Sequence, residues 1–321
     1  MNRRYFIKNT GMAGLALGVS PMLIDVMKDF DNQLDIRQFF KLSLAQWSVH
    51  KQIWDKSLHP FDFAQKAKSL GFEAVEYVNQ LYNDEIAKSS LDTVVKELKK
   101  RAKDQGVTNV LIMIDGEGDL AAATKQGRDE AISLHSKWVD AAAELGCKSI
   151  RVNLFGDAVN NDFDKWKEVS VDGLGRLAQY AAKSKINVIV ENHGGISSDA
   201  GKLTDVIRAI GLKICGTLPD FGNFCVKRQG GERWGAPCID EYDKYKGVLE
   251  MMPFAHGVSA KTFDFDNQGN ETTIDYFRML KIVKEAGYTG HIGIEYEGER
   301  LTEEQGIAAT KALLLRAAAG L

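Results

Sequence analysis

Asn187-Val188-Ile189-Val190-Glu191-Asn192-His193-Gly194-Gly195 is the stretch on which the fold turns. Three β-branched residues in a row leave no polar position for a solvent face. That is how a strand covered on both faces reads, and such strands belong to parallel sheets with helices on either side. The run ends abruptly in a carboxylate, an amide and an imidazole, followed by two glycines. Polar groups stop an apolar strand in this way where the chain leaves a core and enters a site.

Outward from this stretch the same unit recurs. Further strands are predicted over Leu42–Val49, Ala74–Tyr77, Asn109–Met113, Ser149–Asn153, Lys213–Leu218, Ala255–Ala260 and His291–Tyr296. Amphipathic helical runs lie between them, near Phe61–Leu70, Leu91–Asp104, Arg128–Leu145, Asp164–Ser184, Lys202–Ile210, Asp240–Leu249, Tyr276–Ala286 and Thr302–Ala319. Gly71, Gly146, Gly211 and Gly287 follow four of these helices, where a C-terminal stop favours glycine. Eight strand–helix units over roughly 285 residues fit one α/β domain, a closed (β/α)8 TIM barrel spanning residues 35–321. A doubly wound open sheet would carry a glycine-rich phosphate loop after its first strand, and none is present. One connection, Phe221 to Ala236, is long for a barrel, and long loops of this kind usually serve function.

Composition narrows the classes further. Of the 321 residues 44% are hydrophobic and 26% charged, and the net charge is -3. This balance excludes wholesale disorder and a polytopic membrane protein, and gives no electrostatic case for a nucleic-acid partner. Met1-Asn2-Arg3-Arg4-Tyr5-Phe6-Ile7-Lys8, followed by a weakly apolar run from Gly11 to Ile24, resembles a twin-arginine export signal. Residues 1–30 are therefore expected to be signal and linker, with the barrel exported to the periplasm by that route without a stable membrane anchor. An amphipathic first helix is the alternative reading. Losing Arg3, Arg4 and Lys8 takes the net charge from -3 to -6. An oxidising compartment permits disulfides, and Cys225 and Cys238 are the one pair placed to form one. Four free thiols are the expectation.

In a barrel the reacting groups stand at the C-terminal ends of the strands. Glu191, Asp220, His256 and Glu295 fall on four successive strands, and closure would bring them together. Three carboxylates and an imidazole make a hard site suited to Mn²⁺ or Mg²⁺, with Co²⁺ or Zn²⁺ tolerated. Each also has a plainer reading. Glu191 could pair with Arg151, Asp220 could be a turn residue after Pro219, His256 could be a core histidine, and either Glu295 or Glu297 could be a rim charge.

The segments Gly71-Phe72-Glu73-Ala74-Val75-Glu76, Val190-Glu191-Asn192-His193-Gly194-Gly195, Asp220-Phe221-Gly222-Asn223, Ala255-His256-Gly257 and Gly293-Ile294-Glu295-Tyr296-Glu297 resemble the sugar phosphate isomerase/epimerase superfamily, the xylose isomerase-like barrels. The resemblance implies that Glu191, Asp220, His256 and Glu295 ligate a divalent metal and that Glu191 and Glu295 move protons. The superfamily's ketose epimerases carry a histidine where this chain has Asn223, and an arginine where its nearest basic residue is Lys261. Endonuclease IV shares the barrel type but needs more histidines than the six present.

The expected chemistry is proton abstraction next to a carbonyl of a sugar or keto-sugar, as an isomerase or epimerase. A lyase acting on 3-keto-glycosides by β-elimination and a metal-free sugar-binding barrel are the alternatives. Glu76, Arg151, His193, Asn223, Lys261 and Glu297 are expected to contact substrate hydroxyls. Trp47, Phe221 and Trp234 are expected to cover apolar sugar faces. A homo-oligomer is compatible with the sequence.

Overall fold

Each strand of the barrel is short, and the chain turns from strand to covering helix within a few residues. The computed structural model describes residues 38–157 and 159–321; the export-signal reading over residues 1–30 lies outside them. Eight parallel strands form the barrel: β1 (Lys41–Ala45), β2 (Ala74–Val78), β3 (Thr108–Met113), β4 (Ser149–Val152), β5 (Asn187–Glu191), β6 (Cys215–Leu218), β9 (Val258–Thr262) and β10 (His291–Tyr296). Two further strands, β7 (Cys225–Arg228) and β8 (Cys238–Glu241), form an antiparallel hairpin in the long connection after β6.

The ladder runs β6-β5-β4-β3-β2-β1-β10-β9. The ring closes between β6 and β9 through isolated parallel bridges, Thr217 to Ala255 and Asp220 to Ser259. Phe221 N donates to Ser259 O at 3.1 Å, and Ser259 N to Pro219 O at 2.9 Å. The seam of the barrel therefore lies where two polar side chains face inward.

Outward-facing apolar residues such as Val188, Val190, Ile292 and Ile294 are fully buried under the helices. The glycines expected to end helices do so: Gly71, Gly146, Gly211 and Gly287 all have φ between 67° and 85°, a region that costs other residues a steric clash. Thr302 and Gln305 form a reciprocal capping box that starts the last helix, Glu303–Ala319. No helix among the described residues is long and apolar enough to cross a membrane.

Three expectations are corrected. The strand read as Ala255–Ala260 is shifted to Val258–Thr262, because the Met252–Phe254 turn, with Pro253, occupies the preceding residues. The helix read as Asp240–Leu249 begins only at Lys244, since Asp240 belongs to the hairpin. Cys225 and Cys238 form a disulfide across that hairpin, while Cys147 and Cys215 are buried free thiols.

Candidate active site

The C-terminal ends of β5, β6 and β10 deliver Glu191, Asp220 and Glu295. All three are buried, and an oxygen from each lies within 4.8 Å of the others. Asn192 fixes the β5–β6 geometry. Its amide donates to Asp220 O and Asn223 O at 3.0 and 3.1 Å, and its carbonyl accepts from Asp220 N at 2.8 Å. Asp220 Oδ1 then accepts the Gly222 and Asn223 amides at 2.9 and 2.8 Å. This is the turn role open to an Asp after Pro219, and it leaves Oδ2 turned into the site, where Ser259 meets it. Asn223 Nδ2 donates to Glu191 Oε1 at 3.0 Å.

Two buried cations flank the triad. Arg151 places Nε 2.9 Å from Glu191 Oε2 and donates from Nη1 to Asp115 Oδ1 at 2.8 Å. Lys261 Nζ lies 3.2 Å from Glu295, 3.2 Å from Glu297 and 3.9 Å from Asp220. Five acidic side chains thus share two cations. Burial raises the carboxyl of Asp115, but the Arg151 charge and hydrogen bonds more than offset it and hold it below its ordinary range. Lys261 does the same for Glu297. The triad is left with the excess charge: burial pushes Asp220 up to about 8 and raises Glu191 and Glu295, with repulsion from neighbouring carboxylates, Asp115 and Glu297 among them, adding to it.

Ser259 makes this excess visible. Its Oγ is 2.6 Å from Asp220 Oδ2 and 3.1 Å from Glu295 Oε2. One hydroxyl proton serves one of these contacts, so the other needs a proton on the carboxyl or a cation beside it. Three hard oxygen donors with uncompensated negative charge, closely spaced and out of water, fit a divalent cation.

A hydrogen-bond chain sets the opposite wall. Asn153 Nδ2 donates to Asp115 Oδ1 at 2.6 Å, which turns Asn153 Oδ1 toward His193 Nδ1, 2.9 Å away. An amide oxygen only accepts, so Nδ1 carries the imidazole hydrogen and Nε2 keeps its lone pair. Burial, with Arg151 adding to it, lowers His193 to about 4, so the ring is neutral at physiological pH.

Above these groups opens a cavity of about 510 Å³, lined at its floor by Asp115, Arg151, Asn153, His193, Asn223, Glu295 and Glu297. Its mouth is lined by Trp47, Phe155, Trp234, Phe263, Arg228 and Arg233. Of the triad, Glu295 alone reaches the cavity wall.

The structure separates the residues singled out from the sequence. Arg151, His193, Asn223, Glu297, Trp47 and Trp234 line the cavity. His256 does not join the triad. It precedes β9, is exposed, and pairs Nε2 with Lys213 O at 3.0 Å at the opposite end of the barrel. The inward positions of β9 that reach the site are Ser259 and Lys261. Lys261 is 1% exposed, buried behind Glu295 and Glu297, so its place is to hold these carboxylates and not to line the cavity. Glu76 sits below the site, 2% exposed, accepting from Ser43 Oγ at 2.6 Å, and does not reach the cavity. Phe221 is core, edge-on to Tyr276.

Asp115, Asn153 and Ser259 were missed as site residues. Asp115 and Asn153 end strands as polar residues, which is a usable signal. Ser259 is visible only once the register of β9 is known.

The profile of the xylose isomerase-like TIM barrel family matches residues 64–317. Over 125 residues the chain is 28% identical to the "C-glycoside deglycosidase alpha subunit" of Arthrobacter globiformis, a match covering 37% of this chain and only 32% of that protein. Among solved structures, the 3-keto-D-glucoside 4-epimerase of E. coli superposes with a TM-score of 0.61 at 17% identity, covering 79% of this chain and 93% of that one. The IOLI protein with a binding zinc atom gives 0.63 at 14%, covering 88% and 99%. At such identities the likeness is one of fold. The family profile spans most of the barrel, strand ends included, and the chain belongs to the xylose isomerase-like TIM barrel family.

Proposed function

We propose that this protein is an enzyme that removes a proton from the carbon beside a carbonyl of a sugar or keto-sugar. The observation that carries the reading is Glu295: a carboxylate raised by burial, at the C-terminal end of a barrel strand, open to the cavity on one side and tied to Ser259 and Lys261 on the other. A carboxylate fixed by two partners and open to a cavity is placed to take that proton. One divalent cation held by Glu191, Asp220 and Glu295, Mn²⁺ or Mg²⁺ by the hardness of the oxygens, would supply Lewis-acid polarisation of the substrate. The Arg151 guanidinium and the His193 Nε2 lone pair orient hydroxyls from the facing wall. Return of the proton from the opposite face, by Glu191, gives epimerisation.

A second reading has its own support. Glu191 lies behind Asn223 and Arg151, so one base, not two, faces the cavity. One base suffices to take a proton beside a ketone and let a β-leaving group depart. A β-elimination on a 3-keto-glycoside also accords with the glycoside chemistry in the names of two of the similar proteins. Incubation of the Mn²⁺-loaded protein with a 3-keto-glucoside in D₂O, followed by NMR, separates the two. Deuterium beside the carbonyl with the glycosidic bond intact marks the epimerase or isomerase. Aglycone release with an unsaturated keto-sugar marks the lyase. Neither product, on protein shown to hold metal, overturns both.

The twin-arginine-like N-terminus and the disulfide of the hairpin support a periplasmic site of action. Cell fractionation that recovers the protein only with the cytoplasm would overturn this.

A further inference from the structure

The cavity has two chemically different halves. Its floor holds the charged groups that handle hydroxyls and a carbonyl. Its mouth is aromatic, and the aromatic side chains come from opposite sides of the ring. Trp47 follows β1, and Trp234 lies over Gly194 and His193, just after β5. These strands stand four places apart in a ring of eight, so the two indoles face each other across the opening.

Trp234 is held in place although it is 45% exposed. Its ring centroid is 4.7 Å from that of His193 and 6.4 Å from that of Phe155. A Cβ on Gly194 would come within 3.2 Å of the indole, so the absence of a side chain there gives the ring its seat. The loop that carries it is fastened at several points. Arg228 donates to Arg233 O at 3.2 Å and to Ala236 O at 2.8 Å, spanning Trp234. Arg233 pairs with Asp157 and lies 3.9 Å over the Phe155 ring. The Cys225–Cys238 disulfide ties the two strands of the hairpin together. On the far side, Trp47 is backed by His50 in a stacked arrangement at 4.3 Å. A large aromatic surface left facing solvent, and so firmly fixed, is suited to a ligand ring.

Resting on the sugar reading above, we propose that the mouth is a second subsite. It takes the aglycone ring of a glycoside, an aryl group or a second pyranose, against Trp234 and Trp47, while the reacting sugar occupies the charged floor. Both sources of that ring present an apolar face to an indole.

Titration calorimetry on the full chain with the 3-keto forms of methyl β-glucoside, phenyl β-glucoside and cellobiose tests this. The phenyl compound or the disaccharide should bind about tenfold more tightly than the methyl compound, the scale of one stacked ring. Preference for the phenyl compound alone identifies an aryl aglycone, and for cellobiose alone a second sugar. Trp234→Ala should narrow that ratio to less than about threefold, and Trp234→Phe should keep most of it. Equal affinity for all three ligands overturns the subsite and leaves the sugar reading intact, as does an unchanged ratio in both Trp234→Ala and Trp47→Ala. No binding of any of them overturns the sugar reading and the subsite with it. A melting temperature matching the parent's shows that the Trp234→Ala result is read on folded protein.

Discussion

Two acidic layers lie one above the other inside the barrel, equally removed from water and differently equipped. In the upper layer Glu295 has Lys261, Ser259 and a cavity. In the lower layer, among the described residues, Glu76 has Ser43 alone; its Oε2 has no hydrogen-bond partner there, and no cation is paired with it. Gly293 of β10 walls it in, since a Cβ there would stand 2.5 Å from Glu76 Oε2. Burial pushes Glu76 up to about 8, so at neutral pH it carries a proton and adds no charge beneath the site. The upper layer gives Asp115 and Glu297 cations that hold them ionised, and sets its raised triad beside a cavity, where a cation can take the place of protons. The lower layer keeps its carboxyl by leaving it neutral. Burial alone therefore does not make a carboxylate chemical; its partners and its access to a cavity do.

The largest effect expected from this contrast is on activity. Glu295→Gln and Glu191→Gln keep size and shape but put an NH2 donor in place of one acceptor oxygen and remove the proton-moving groups. Each should lower turnover by about 10²–10⁴-fold, measured by exchange of the substrate proton in D₂O. Glu76→Gln should leave turnover within about threefold, because its carboxyl never meets the cavity. An equal loss from Glu76→Gln would collapse the distinction between the layers.

Next in size is the upper layer's counter-charge. Lys261→Met keeps most of the buried stem and deletes the ammonium. It leaves Glu295, Glu297 and Asp220 without their shared cation, a situation that costs about 3–5 kcal/mol. Urea denaturation of the metal-free protein reads it. A loss under about 1 kcal/mol would mean that the carboxyls hold protons of their own and that Lys261 is incidental.

These two predictions rest on residues whose legibility in the sequence was very unequal. Glu191, Asp220 and Glu295 could be read because each ends a run of apolar residues, where an acid has no reason to be unless it faces a site. The alternation that buries Ile292 and Ile294 outward sends Gly293 and Glu295 inward. His256 misled for a physical reason: the strand begins two residues after it, beyond the turn containing Pro253, and only a shift of register separates a strand end from a strand start. That shift brings Ser259 and Lys261 to the site, and neither residue type signals a buried position by itself. The hairpin's place over Gly194 depends on contacts between residues 40 positions apart, Trp234 and Gly194, which no local pattern encodes.

Smaller again is the space that the lower layer needs. Gly293→Ala would drive a methyl group into the Glu76 carboxyl and should cost about 1–3 kcal/mol, the range for overpacking a core. Glu76→Ala in the same chain should recover part of it, since the clash has a single named partner. If the double variant is no more stable than Gly293→Ala alone, the crowding lies elsewhere, and Gly293 owes its identity to the backbone.

The effect whose sign depends on pH belongs to Glu76→Gln. A carboxyl near 8 in the folded chain and near its ordinary 4.5 when unfolded binds more protons folded than unfolded throughout that window. Stability must then fall as pH rises from 4.5 to 8: the contribution is complete below the unfolded value and lost above the folded one. The triad above is raised too and bends the parent's profile the same way. The difference between parent and Glu76→Gln cancels that shared part, leaving Glu76 and its modest coupling to the triad. At pH 5 the two proteins should differ by no more than about 1 kcal/mol, the scale of one neutral hydrogen bond to Ser43. As pH rises to 9 the variant should overtake the parent, because glutamine has no proton to lose. A difference that stays flat across this range would place Glu76 among the ionised carboxylates, and the two layers would then be held by the same means.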